Sequence, residues 1–119
     1  MILKKNINIA TILPYKENYT FDKASAASLW VSEFFKKSKY KKNNFIYGHT
    51  KSKNYLTSNY KNISLKNLKS KLKSTTNEYS YKLAKEINSK SFDIIEVHNR
   101  PQLLFKLIQR VQNKFIFYF

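Results

Sequence analysis

The stretch Phe92-Asp-Ile-Ile-Glu-Val-His-Asn-Arg-Pro101 reads as a buried strand that runs straight into a polar loop and a helix start. Phe92, Ile94, Ile95 and Val97 form a short, nearly continuous apolar run, the pattern of a strand covered on both faces of a parallel sheet. His98, Asn99 and Arg100 fall at its carboxyl end, the edge at which open α/β sheets bind ligands. Pro101 suits the first turn of a helix, where its missing N–H costs nothing. Leu104, Leu107, Ile108 and Val111 then repeat at the spacing of one helix face. Strand, polar loop and helix together predict a ligand-binding α/β domain.

Outward from this window, the same alternation continues. Ile7 to Leu13 reads as a first strand, ended by Pro14, which cannot extend a hydrogen-bond ladder. After a polar loop, Ala24, Ala27, Val31, Phe34 and Phe35 describe a helix face flanked by Trp30, with Lys36 and Lys37 favourably placed near the C-terminus. Asn43 to His49 gives a second strand with Phe45 and Tyr47 on one side, and a third short strand is expected near Tyr60–Ile63. Leu65, Leu68 and Leu72 fit a short basic amphipathic helix surrounded by Lys66, Lys69, Lys71 and Lys73. Thr75-Thr-Asn-Glu78 matches a capping box opening a helix with Tyr79, Leu83 and Ile87 on its inner side. Lys114-Phe-Ile-Phe-Tyr-Phe119 reads as one more buried strand. A chain that stops on such a strand is expected to be a fragment, since a fully apolar strand needs sheet neighbours and helices on both faces.

The 119 residues, 42% of them hydrophobic, are enough for one domain with a real core, spanning 1–119. There is no cysteine, which excludes disulfide and thiolate chemistry and is compatible with a reducing cytoplasm. The start lacks the order of a signal peptide, and no run reaches the roughly 18–20 apolar residues of a membrane span, so a soluble or peripheral protein is expected. The net charge is +16, with lysines crowded between residues 36 and 90 against only Glu78 and Glu86. Such a surface is either a footprint for nucleic acid or anionic lipid, or the by-product of a composition rich in Lys, Asn, Ile, Tyr and Phe. Arginine, the residue favoured for bidentate phosphate recognition, occurs only as Arg100 and Arg110, which favours the compositional reading.

The loop entering the first helix reads Lys23-Ala-Ser-Ala-Ala-Ser-Leu-Trp30. It lies where Rossmann-type domains bind phosphate, yet lacks the glycine fingerprint of a dinucleotide site, so a nicotinamide or flavin domain is excluded. Small residues there serve close ligand approach or simply helix packing. His98 is either a ligand-binding or acid–base residue at the strand tip or a structural histidine, and His49 is a weaker candidate of the same kind. No His/Asp/Glu spacing resembles a metal site, and no Ser stands in a nucleophile context. Asp93 and Glu96 face opposite sides of a strand and cannot act as a carboxylate pair.

Ile9-Ala-Thr-Ile-Leu-Pro-Tyr15, the small-residue loop into Ser28-Leu-Trp-Val31, the 92–101 stretch and the closing Phe117-Tyr-Phe119 resemble the N-terminal domain of glycosyltransferase family 4 enzymes with the GT-B fold. The resemblance implies a Rossmann-like doubly wound parallel sheet, the acceptor-side half of a retaining enzyme. Such an enzyme moves a sugar from a nucleotide-sugar donor to a glycan or lipid-linked acceptor in cell-envelope polysaccharide synthesis. It implies substrate-binding roles for Ser25 and Ala26 at the first helix start and for His98, Asn99 and Arg100 at the strand tip. Arg100 would hold an anionic group, and Asn99 and His98 would hydrogen-bond sugar hydroxyls. Lys23 and Ser25 stand where the family commonly has glycines. The catalytic residues are expected beyond Phe119, the nucleotide-sugar domain is missing, and a fragment of this kind is expected to be inactive alone. No metal or cofactor is implied beyond the nucleotide-sugar. The expected location is cytoplasmic, with peripheral contact to an anionic membrane through the Leu65–Leu72 helix. The competing reading is a small basic RNA-binding α/β module, with lysines on phosphates and exposed tyrosines for stacking.

Overall fold

The computed structural model describes residues 7–65, 74–111 and 115–119. Five strands, β1 (Ile9–Ile12), β2 (Asn44–Gly48), β3 (Tyr60–Asn62), β4 (Ile94–Val97) and β5 (Phe115–Tyr118), form one sheet in the order β3-β2-β1-β4-β5. Every pairing is parallel. The helices are α1 (Ala26–Lys37), α2 (Thr75–Asn88) and α3 (Pro101–Arg110), with a 3₁₀ turn at Lys41–Asn43. The result is a Rossmann-like α/β fold, and the strand order reverses between β1 and β4.

Alternation along the strands sorts side chains between two cores. On one face Ala10, Ile12, Tyr47, Ile95 and Val97 pack against Tyr79, Leu83 and Ile87 of α2 and Leu103 and Leu107 of α3. Each fully buried side chain of this size contributes roughly 1.5–3 kcal/mol, which anchors α2 and α3 to the sheet. On the opposite face a smaller core joins Leu13, Ile46 and Tyr60 to Val31 of α1 and to Tyr19 and Leu56 from the loops. Tyr19 and Tyr60 stack there at 5.0 Å between ring centroids, and burial pushes the Tyr19 hydroxyl up to about 12.

Several expectations shift by a residue or a face. Ser74, not Thr75, caps α2, its hydroxyl accepting from the Asn77 N–H at 3.1 Å. Glu78 is buried instead of reaching back as a capping-box partner, and it pairs with Lys82 at 3.0 Å. In α3 Leu103 takes the inner position while Ile108 turns outward. In α1 the inner residues are Ser28, Val31 and Ser32, and Phe34 of the expected face is exposed. Val31 and, half-buried, Phe35 pack on the smaller core as the spacing predicts. The terminal strand forms, but as an edge strand with Phe115, Phe117 and Tyr118 exposed, because only β4 flanks it. Of the expected helix with Leu65, Leu68 and Leu72, only Leu65 lies within the described residues, half-buried against the larger core.

The polar patch under α1 carries a proton-counting constraint. Thr11 Oγ1 lies 3.0 Å from Asn44 Oδ1 and 2.9 Å from Glu96 Oε1, and one hydroxyl proton cannot serve both acceptors. Thr11 therefore donates to Glu96 and to Asn44 only in turn, and the half-buried Glu96 carboxylate has at most a shared hydroxyl proton to satisfy it. Burial raises the Glu96 carboxyl above its ordinary value, with the Thr11 hydroxyl pulling the other way. A carboxyl whose folded pKa is raised contributes stability that is complete below the unfolded value of about 4.3 and is lost as pH rises through the folded value. Glu96→Gln should therefore raise the melting temperature at pH 7–8 and flatten its fall between pH 4 and 8. Thermal melts across that range check it, and an unchanged pH profile would show that Glu96 is ionised without penalty.

Candidate functional site at the sheet's switch point

Neighbouring strands β1 and β4 send their following loops in opposite directions, which opens a crevice at their carboxyl ends. The chain leaves β1 through Leu13 and the buried Pro14 and turns at Tyr15. From α2, the buried Tyr79 hydroxyl donates to the Leu13 carbonyl at 2.6 Å, and its ring meets Tyr15 edge-on at 6.0 Å. This contact fixes where the first loop begins. Ser25 then caps α1, accepting from the Ser28 N–H at 3.1 Å and donating to Ser28 Oγ at 3.0 Å. Its hydroxyl thus serves the helix, while Ala26, the first helical residue, is exposed.

Across the crevice, His98 follows β4 with its backbone N–H on the Ile12 carbonyl at 3.0 Å. Its buried ring stacks on Phe119 at 5.1 Å and is tilted against Trp30 of α1 at 5.6 Å. Burial holds its pKa below the ordinary histidine value, so the ring is neutral at pH 7. No protein hydrogen bond reaches that ring among the described residues, so a neutral imidazole is held by aromatic contacts alone. Asn99 adopts a left-handed φ of 48°, a conformation that Asn tolerates, and donates its N–H to the Phe119 carbonyl at 2.8 Å. Its side chain is exposed.

Arg100 occupies the N-cap position of α3 without capping it by its side chain. Its guanidinium crosses to the first loop, donating from Nη2 to the Tyr15 hydroxyl at 2.9 Å and lying 4.8 Å from the Tyr15 ring centroid. Arg100 Nε is buried without a hydrogen-bond partner, and among the described residues no carboxylate pairs with this arginine. A half-buried cation positioned by a tyrosine but unneutralised suits an anionic group.

Of the five expected residues, His98 and Arg100 each reach the β1–α1 segment, through Trp30 and Tyr15 respectively; Ser25 is spent on its own helix. Tyr15 is the residue that sequence reading missed, and only its place just past Pro14 could have marked it. On its other side opens a cleft of about 490 Å³ bordered by Tyr15, Lys16, Lys23, His49, Lys51 and Glu78. His49 Nδ1–H donates to the Ile63 carbonyl at 2.8 Å, which fixes the orientation of the ring. Among the described residues no three His, Asp or Glu side chains converge as metal ligands would. No helix there is long and apolar enough to cross a membrane. No protein-family model matches the chain, and neither does any curated protein or solved structure.

The Tyr79–Leu13 bond carries a structural consequence. Tyr79→Phe leaves a buried carbonyl unsatisfied and should cost about 1–3 kcal/mol. Urea melts should show a lower midpoint at unchanged slope, with faster amide exchange confined to the segment around Tyr15. A midpoint equal to that of the parent chain would mean the hydrogen bond does not hold the loop.

Proposed function

We propose that this chain is the acceptor-side, Rossmann-like domain of a family 4-like glycosyltransferase. In this reading it holds a glycan or lipid-linked acceptor at the β1/β4 crevice, for transfer of a sugar from a nucleotide-sugar bound by a partner domain. The activity would serve polysaccharide synthesis on the cytoplasmic side of the envelope. The observation that carries the proposal is Arg100: an unpaired guanidinium with a buried, unpartnered Nε, laid on Tyr15 at the mouth of the crevice. Beside it, the neutral ring of His98 and the exposed side chain of Asn99 are suited to sugar hydroxyls, which need both donors and acceptors. The adjoining cleft is of a size that fits a small ligand.

The RNA-module alternative would need tyrosines displayed for base stacking. Tyr19, Tyr47, Tyr60 and Tyr79 are instead interior residues. That burial favours the small-ligand reading.

Glucose 1-phosphate and glucose serve as the test probes in an NMR titration of the chain. The phosphorylated sugar should shift the amides around Tyr15 and Arg100, and the neutral sugar should bind more weakly. Arg100→Ala should weaken phosphosugar binding by about tenfold to hundredfold, the worth of a charged hydrogen bond, with little change in melting temperature. Shifts confined to other surfaces, or binding indifferent to Arg100, would overturn the assignment.

A further inference from the structure

The outer side of α1 leaves large apolar side chains in solvent. Inward point Ser28, Val31 and Ser32, with Phe35 half-buried against the smaller core; outward stand Leu29, Trp30 and Phe34, 49%, 53% and 54% exposed. Trp30 and Phe34 stack on each other at 5.4 Å, so two large rings share one solvent-facing ridge. Through the Trp30–His98–Phe119 ring contacts this ridge continues onto β5, where Phe117 and Phe119 are also half-exposed. Directly after it come Lys36, Lys37, Lys39, Lys41 and Lys42, all exposed, against the single carboxylate of Glu33. Lys37 borders the same shallow groove as Trp30 and Phe34.

We infer that this aromatic ridge with its lysine run docks the protein on an anionic lipid bilayer. Aromatic and aliphatic side chains on one helix face enter the headgroup boundary, and neighbouring lysines lie along the anionic surface with their stems on apolar ground. Charge complementarity selects this occupant. A second copy carries the same +16 charge and repels. RNA recognition favours ring faces free for base stacking and arginines free for phosphate, but Trp30 and Phe34 each give one face to the other, Arg100 lies on Tyr15 and Arg110 lies over Tyr81. The docking surface adjoins the crevice at His98, but it is carried by exposed residues outside the crevice and does not rest on the glycosyltransferase reading.

Trp30 is the only tryptophan of the chain and sits in the proposed contact, so its fluorescence reports docking directly. With vesicles of phosphatidylcholine containing phosphatidylglycerol, its emission should move to shorter wavelength and be quenched by brominated acyl chains. Both effects should weaken with added salt and be nearly absent on pure phosphatidylcholine. A basic residue near such a surface is worth roughly fivefold in partition, so a Lys36→Gln, Lys37→Gln double variant should bind about 25-fold more weakly. Phe34→Ser should reduce partition on the order of tenfold by co-sedimentation. These residues are exposed, so circular dichroism should stay unchanged; should Phe34→Ser unfold, the lysine variant and the bromolipid quenching decide alone. No emission shift on anionic vesicles, or an equal shift on neutral ones, overturns the inference. So does a lipid-free shift that grows with protein concentration, which would indicate self-association. Quenching by an oligouridine at concentrations where vesicles have no effect would hand the surface to RNA instead.

Discussion

Strand β1 is hydrogen-bonded on both sides, to β2 and to β4, and lies at the point where the sheet changes direction. Its residues are buried from Ile9 through Leu13 because helices cover both of its faces, with α2 and α3 on one and α1 on the other. Everything proposed about the site depends on this strand's carboxyl end being held still. The hold comes from three directions: the Leu13 N–H bonds Tyr47 of β2, the Leu13 carbonyl takes the Tyr79 hydroxyl, and His98 bonds the Ile12 carbonyl. A loop starting from such a point inherits its position. That is why Tyr15, itself only half-buried, can act as a fixed support for Arg100.

The parallel α/β architecture was legible because each strand left a local mark. Phe92–Val97 is apolar almost throughout, as a strand buried on both faces must be, and Pro14 and Pro101 punctuate its neighbours. The faces of the helices were less legible, and α1 shows why. Ala24, Val31 and Phe35 of the expected face do pack on the smaller core, while Phe34 turns out. Apolar residues occur on both sides of the helix, so periodicity alone cannot tell Phe34 from the inner Ser28 and Ser32. The terminal strand formed but was not buried, for a related reason. An apolar run predicts burial only where neighbours exist, and β5 is flanked by β4 alone.

The site divides in the same way. His98, Asn99 and Arg100 were visible as a polar tip on an apolar strand. Their functional states were not. Arg100 meets Tyr15 across 85 residues of sequence, and no spacing rule connects them. The stacking of His98 between Phe119 and Trp30 likewise joins three separate elements. Ser25 was ambiguous in a different way: its position at a helix start fits a ligand role and a capping role equally well, and the geometry adds the capping bonds to Ser28.

Charge and apolar surface are laid out along α1 in a way that separates two demands. The helix begins at the carboxyl edge of the sheet, beside the crevice, and in a parallel α/β unit it must run back toward the opposite edge before β2 can start. Its lysine run therefore lies at the far end from Arg100. Lys16, Lys23 and Lys51 already border the cleft that shares Tyr15 with Arg100, and five more lysines there would compete with Arg100 further, since exposed charges within a Debye length of about 10 Å act together. Kept at the other end of a 12-residue helix, roughly 18 Å long, they are screened from it. One helix can thus offer small residues to the sheet, an exposed start to the crevice and a basic, aromatic flank to an outside surface, because each occupies a different side or end of the same cylinder.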